Sequence, residues 1–389
     1  MRRASAERAA LVALAAIMGS TIAATAETQR ETARTGGVVL SSYPFYRTNL
    51  QAIPFDRLTH VIYAFAEHGP GGVVRHRPED TGFSKNVAEL QARRRTHPGL
   101  KLLLGLGGGS GWSSGFASAT TQGRVRASAR SAVDFMRRNG FDGIDIDWES
   151  PRPGTGEPAQ YVAYLKVLRG EMNALGAKTR RHYVLSTDVS YLAVDPFNEQ
   201  GKDQTPPEAA RFVDFWNVMA YEMRGTWNCF GEGGGAGFNA PLRPMAGDPY
   251  VRNGGAVAVA AWRRLGVPAK KIVFGIPFYG TLFSGVQAGP KGDGLGQPCN
   301  GSAGRQIDGP EIATLGNASG FVEHYDARRE AAYRYNPASK QFLSYETPRS
   351  IAAKRRFVAS AGLAGVMSWD LGADDAKYTL LRALSGVTS

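Results

Sequence analysis

Short runs of apolar and β-branched residues alternate along the chain with longer segments whose apolar positions recur every three or four residues. Val38-Val39-Leu40, His60-Val61-Ile62-Tyr63-Ala64-Phe65 and Lys101-Leu102-Leu103-Leu104 have the composition of strands, and residues 123–138 and 160–175 have the spacing of amphipathic helices. Further strands are predicted at 141–148, 182–189, 215–221, 271–278 and 363–369. Eight strands joined by helices either close into a (β/α)8 barrel or stay open as a doubly wound sheet. Polar or aromatic residues at the strand C-termini favour the α/β barrel of TIM type. One interval breaks the rhythm, since about 85 residues separate Phe278 from Leu363, too many for one crossover helix. Residues 283–345, Gly-rich at first and then punctuated by Tyr and Phe, are expected to form a small α+β domain inserted into the barrel. The barrel itself is assigned to 37–282 and 346–389, resuming with a helix at 350–361.

The N-terminus follows a different pattern. Arg2 and Arg3 precede an apolar stretch that ends in Ala24-Thr25-Ala26, a small-x-small cleavage signature. That stretch is too short and too rich in Ser, Thr and Gly to span a bilayer, which needs about 20 apolar residues. Residues 1–26 are therefore expected to be a signal peptide, cleaved near Ala26 on export to the periplasm or the medium. Export places Cys229 and Cys299, the only two cysteines, in an oxidising environment. They are candidates for one disulfide, with two buried free thiols as the alternative.

The chain has 389 residues, 43% hydrophobic and 21% charged, which excludes disordered and disulfide-scaffold classes. Its 46 basic and 34 acidic residues give a formal charge of +12, which by itself suggests an acidic partner. Loss of the leader, with Arg2, Arg3, Arg8 and Glu7, leaves +10. Arg93-Arg94-Arg95 and Arg180-Arg181 have no interleaved aromatics and suit solvated helix ends, so no nucleic-acid or membrane partner is expected.

The chemistry is concentrated in Phe141-Asp142-Gly143-Ile144-Asp145-Ile146-Asp147-Trp148-Glu149. Strand side chains alternate, so Asp145, Asp147 and Glu149 share one face while Ile144, Ile146 and Trp148 share the other. In a barrel the apolar set packs on the helices and the acids point inward, rising toward the C-terminal mouth where barrel enzymes keep their sites. Burial and mutual repulsion then leave at least one acid protonated near neutral pH, as a general acid requires. Clustered carboxylates also suit Mg2+ or Ca2+, but the calcium-loop Gly is missing and no His pair has ligand spacing. No metal or cofactor is therefore expected. Gly111-Trp112-Ser113-Ser114-Gly115 matches G-x-S-x-G without the strand-to-helix elbow that motif requires. Gly105-Leu106-Gly107-Gly108-Gly109-Ser110 begins like a dinucleotide loop but has Ser at the third glycine position.

Asp142, Asp145, Asp147 and Glu149 match the D-x-x-D-x-D-x-E motif, and on it the sequence resembles glycoside hydrolase family 18, the chitinases and their relatives. The resemblance covers nearly the whole mature chain. It includes residues 58–66, Leu104-Gly105-Leu106-Gly107-Gly108, Met219-Ala220-Tyr221-Glu222, residues 275–280 and 365–370, and an insertion similar to the chitinase insertion domain.

The resemblance implies a retaining endo-chitinase acting on β-1,4-linked N-acetylglucosamine through substrate-assisted catalysis. Glu149 would be the acid/base. Asp147 would orient the acetamido group, Asp145 would take a proton shared with Asp147, and Tyr221 would hold the acetyl oxygen. Trp369 would form the floor, with Met219, Glu222, Phe65, Tyr279 and Trp112 as further substrate contacts; Phe65, Tyr279 and Trp112 could equally serve packing. Asp142 is expected to be structural.

The sequence departs from the family pattern at Glu222 (for Asp), Thr281 (for Arg), Gly105 (for Ser) and Ser42 (for Tyr), which bears on the outer subsites. An endo-β-N-acetylglucosaminidase of glycan or peptidoglycan and a silent chitin-binding lectin remain alternatives. The expected partner is chitin or a chito-oligosaccharide, bound by a monomer.

Overall fold

Eight parallel strands close on themselves in the structure, a computed structural model. It describes residues 37–386 except 48–49, 110, 122, 150, 153–154, 194–204, 230–233, 245–252 and 318–319. The leader expected at 1–26 lies outside the described residues.

In chain order the first half comprises β1 (Val38–Pro44), β2 (His60–His68), β3 (Val74–His76), α1 (Phe83–Thr96), β4 (Lys101–Gly107), α2 (Ser114–Ala119), α3 (Val125–Arg138), β5 (Gly143–Asp147) and α4 (Glu157–Thr179). Then come β6 (Val184–Ser190), β7 (Phe215–Met219), α5 (Gly255–Arg264) and β8 (Ile272–Pro277). The strands pair in the order β1-β2-β4-β5-β6-β7-β8-β14, and β14 (Gly365–Trp369) returns to β1, so the barrel has no open edge. β3 is a short antiparallel addition to β2 that the periodicity had not indicated.

The alternation on β5 decides the layout. Ile144, Ile146 and Trp148 are buried among the outer helices, where the Trp148 ring stacks on Phe116 of α2 at 4.8 Å and tilts against Tyr161 of α4. Asp145 and Asp147 take the opposite phase. Their lateral neighbours on β4 are Gly105 and Gly107, which have no side chains to compete for the interior. Gly107 adopts φ +116°, and a Cβ there would sit 2.1 Å from the Asp147 carbonyl oxygen, so only glycine fits beside this acid. Asp142, just below β5, is held by Arg94 and Arg181 and accepts the Leu102 N–H at 3.0 Å. It pins the closed end of the barrel and stands apart from the cleft.

Between β8 and β14 lies a second sheet of five antiparallel strands in the order β10-β9-β13-β12-β11. These are β9 (Gly280–Ser284), β10 (Asn300–Ile307), β11 (Val322–Asp326), β12 (Ala331–Asn336) and β13 (Gln341–Tyr345), with α6 (Gly309–Asn317) between β10 and β11. The sheet starts at Gly280, three residues ahead of the expected Phe283, because β9 follows β8 after only two residues. Its faces alternate as β-periodicity requires. Phe283, Tyr333, Tyr335 and Phe342 pack with Phe238 on one side, and Leu282, Ile307, Ala332, Leu343 and Tyr345 pack with Ile312 of α6 on the other. Glu346 and Lys354 form a buried ion pair, with Ser350 donating to the same carboxylate, where α7 (Pro348–Ser360) re-enters the barrel. Helix α8 (Thr379–Ser385) closes the described chain.

Cys229, at the end of a turn after β7, is bonded to Cys299, next to β10, across a sequence separation of 70 residues. The bond ties a barrel loop to the inserted sheet. Closing a loop of that length contributes about 4 kcal/mol in the chain-entropy account. The double variant Cys229→Ser/Cys299→Ser is therefore expected to unfold at lower denaturant, by up to that amount, and reductant should bring the wild type to the same midpoint. Coincident denaturation curves for the two proteins without reductant would refute it.

Candidate active site

Above Asp147 the chain leaves β5 and Glu149 turns into a cleft of about 470 Å3 at the C-terminal mouth of the barrel. Asp147, Glu149, Asp188, Met219, Tyr221, Glu222, Tyr279 and Trp369 all line it. The backbone at this point is held by Ser113, whose hydroxyl donates to the carbonyls of Gly108 (2.7 Å) and Asp147 (3.0 Å) and accepts the Glu149 N–H at 3.1 Å. The serine of the apparent G-x-S-x-G motif is thus a brace for the acidic strand and is itself buried.

The carboxyl groups interact closely. Asp145 is fully buried, and its Oδ1 accepts from Ser186 Oγ at 2.5 Å and Asn217 Nδ2 at 3.1 Å. The same Asn217 amide donates to Asp188 Oδ1 at 2.9 Å. Burial pushes Asp145 up to about 7, against the lowering pull of the hydrogen bonds from Ser186 and Asp188. Asp147 is pushed well above the carboxylate range, first by burial and then by the charges of Asp188, Glu149 and Asp145. Asp188 moves the same way, through burial and the charge of Asp145, with Asn217 opposing. Protons are therefore held among these groups near neutral pH, as buried like charges demand.

Aromatic groups form the walls. The Tyr221 phenol is pushed far up by burial and by the surrounding carboxylates, so it remains an O–H donor. Tyr279 packs edge-on against Tyr221 at 6.1 Å and donates to Glu222 Oε1 at 2.9 Å. Glu222 also accepts from Gln306 of β10 at 2.6 Å, so the longer carboxylate at this position reaches the inserted sheet. Trp369 ends β14 at the cleft, and Phe65 stacks on it at 5.6 Å with only 15° between the planes. Phe65 is 2% exposed, so it backs the tryptophan and presents no open face. Trp112 is not among the lining residues of the cleft; it packs edge-on against Phe65 at 6.0 Å and is 37% exposed, with the Arg77 guanidinium 4.1 Å from its ring centroid and Phe45 stacked at 6.1 Å.

The residues singled out from the sequence accordingly fall into three places. Asp145, Asp147, Glu149, Met219, Tyr221, Glu222, Tyr279 and Trp369 converge on one cleft or directly beneath it. Phe65 and Trp112 stand behind and beside it, and Asp142 lies at the opposite end of β5. Sequence reasoning missed Asp188, Asn217 and Ser186. The signal was nevertheless present: Ser186, Asp188 and Ser190 recur every second residue along β6, as the acids do on β5, and Asp188 lies opposite Asn217 in the β6–β7 register.

The model of the family described as glycosyl hydrolases family 18 matches residues 31–374. The chain is a family 18 glycosyl hydrolase. Among relatives of this glycosyl hydrolase, Chitinase A1 of Niallia circulans is 31% identical over 321 residues, which cover 77% of this chain. The matched part is 44% of that longer protein. Chitinase 1 of Aphanocladium album is 29% identical over 358 residues, covering 86% of this chain and 81% of its own length. A class V chitinase from Nicotiana tobaccum, solved as a mutant in complex with NAG4, superposes on the glycosyl hydrolase with a TM-score of 0.80. It is 25% identical, and the match covers 90% of this chain and 98% of that one.

Proposed function

We propose that this glycosyl hydrolase is an exported retaining endo-chitinase that cleaves β-1,4-linked N-acetylglucosamine polymers or oligomers. The observation that carries the proposal is the inward column Asp145, Asp147 and Glu149, which ends in a cleft floored by Trp369 and walled by Tyr221. Glu149 gives its proton to the glycosidic oxygen while the substrate's own acetamido oxygen attacks the anomeric carbon and the leaving sugar departs. The positive oxazolinium formed this way needs an anion beside its N–H, and Asp147 is placed to supply it once its proton has moved to Asp145. Tyr221, an O–H donor in this environment, orients the acetyl oxygen. Water then opens the ring as the Glu149 carboxylate takes its proton back, so the anomeric configuration is retained.

In this scheme the substrate supplies the nucleophile, so no enzyme carboxylate has to attack the anomeric carbon. Glu222 faces the cleft but is engaged by Tyr279 and Gln306. The leader at 1–26 supports export, and among the described residues no helix is long and apolar enough to cross a membrane. Residues 280–345 are proposed as the inserted domain, which reaches the site through Gln306, a donor to the cleft residue Glu222.

The deciding experiment is incubation with N-acetylglucosamine oligomers and, separately, with a glycoprotein and peptidoglycan, followed by mass spectrometry. Chito-oligosaccharide products are expected, with the β-anomer formed first in a proton NMR time course of the same reaction. Release from the glycoprotein or peptidoglycan alone would replace this reading with an endo-β-N-acetylglucosaminidase.

A further inference from the structure

We propose that Asp188 is a positioning residue for Asp145: its carboxyl group keeps its proton, donates to the Asp145 carboxylate, and so keeps that carboxylate ready to receive the proton of Asp147. The inference rests on the reaction proposed above, in which Asp147 must become an anion during the reaction.

Three geometric facts support it. Asp188 is 6% exposed yet lines the same cleft as Asp147 and Glu149. Its carboxyl group is tied to that of Asp145 by the one amide of Asn217, which donates to both. Asp145 Oδ2 and Asp147 Oδ1 are buried oxygens without any N–H or O–H partner in their surroundings. A buried carboxylate oxygen left without a donor is strongly disfavoured. The donors within reach are the neighbouring carboxyl groups themselves, once protonated.

The order of acidities agrees with that arrangement. Asp188 and Asp147 are both pushed well above the usual range, whereas Asp145, which accepts from Ser186 and Asp188, is raised less. The groups facing Asp188 are Asp145 and Asp147 from β5, Glu149 just after that strand, Asn217 from β7 and the Tyr221 phenol just after β7. At rest the trio of aspartates therefore holds two protons, on Asp147 and Asp188, and one negative charge, on Asp145. When Asp147 turns to the sugar, its proton passes to Asp145. The two protons then reside on Asp145 and Asp188 and the charge on Asp147, so the trio carries the same total charge before and after. Asn217 keeps donating to Asp145 and Asp188 throughout.

Sign and size follow. A donor on Asp145 stabilises its charged form and lowers its pKa. Removing that donor raises the pKa, so Asp145 takes up a proton at higher pH and loses its capacity to accept one from Asp147. Asp188→Leu, similar in bulk and unable to donate, is expected to lower kcat about tenfold or more with KM near the wild-type value. The acid limb of its kcat–pH profile should move up by about one pH unit, the size of one charge-assisted hydrogen bond. Asp188→Asn, which keeps a neutral donor in the same place, should restore both kcat and the position of the limb. Infrared difference spectra of wild type against Asp188→Asn at neutral pH should show the loss of one protonated-carboxyl C=O band, without any need for turnover.

A Leu variant with an unshifted acid limb, an Asn variant that folds but is as impaired as Leu, or an infrared difference lacking that band would each overturn the role. If Asp188→Leu does not fold, the Asn profile and the infrared spectrum still decide. Glu149→Gln in the same assay keeps the two ideas separate. Surviving turnover there would overturn the proposed reaction, while the infrared band would still report on the Asp188 proton.

Discussion

Glu149→Gln should reduce hydrolysis of N-acetylglucosamine oligomers by about 10³-fold or more while leaving oligosaccharide binding close to that of the wild type. Of the other carboxyl groups that line the cleft among the described residues, Asp147 and Asp188 are buried and Glu222 is engaged by Tyr279 and Gln306, so none of them is a ready substitute for Glu149 in protonating the leaving oxygen. A positioned general acid is worth about 10²–10⁴ in rate. Gln keeps the shape and hydrogen-bonding reach of Glu but has no proton to give. The backbone beneath it is fixed through Ser113 to Gly108 and Asp147, so the substitution leaves the acidic strand in place and its effect is chemical. Single-turnover rates together with isothermal titration of an unhydrolysed oligomer test both halves. Turnover like that of wild type would remove Glu149 from the reaction, and a parallel loss of binding would show that its carboxyl group holds the substrate.

Asp147→Asn should also be severe, with kcat falling about 10²–10³-fold, the usual loss when a preorganised charge facing a developing ion is removed. Here a second observable goes the other way. Burial and the charges of Asp188, Glu149 and Asp145 raise the folded-state pKa of Asp147. A carboxyl group with a raised pKa contributes stability below its unfolded pKa, and that contribution is lost as pH rises through the folded value. Asn cannot ionise, so the variant escapes that loss. Its melting temperature at neutral and mildly alkaline pH is expected to equal or exceed that of the wild type, with the difference vanishing in acid. Activity lost together with melting temperature would mean that Asp147 supports the fold and that its charge is incidental to the chemistry. Stability is commonly sacrificed in this way where a site must bury charge.

Much of this arrangement was legible from the sequence because two periodicities coincide on β5. The alternation of Ile144, Ile146 and Trp148 with Asp145, Asp147 and Glu149 has one burial-consistent phase, and a barrel supplies an interior for the acids and helices for the apolar set. Strand positions elsewhere were recovered for the same reason, since β-branched runs buried on both sides have few other uses. What escaped notice had weaker local signals. Ser186 and Asp188 sit on a strand whose other positions, Leu185, Thr187 and Val189, are only partly apolar, so its inward phase is ambiguous until β6 is paired with β7. Phe65 drew attention as a strand-end aromatic, but whether a ring offers its face or supports another depends on Trp369, over 300 residues away. The start of the inserted sheet at Gly280 was hidden because Thr281, Leu282 and Phe283 continue the apolar run of β8 without a break in composition.

The Cys229–Cys299 bond also bears on how damage to this protein would be detected. The covalent ring it closes contains α5, β8 and β9, so a barrel staple and the first strand of the inserted sheet lie inside one macrocycle. A protease that cuts anywhere between the two cysteines produces two polypeptides that remain linked. On a gel run without reductant such a nicked molecule migrates near the intact chain, and the cut becomes visible as two bands only after reduction. Homogeneity judged under non-reducing conditions would therefore pass material whose barrel is already broken at the level of the chain, whereas a cut on either side of the ring would show at once.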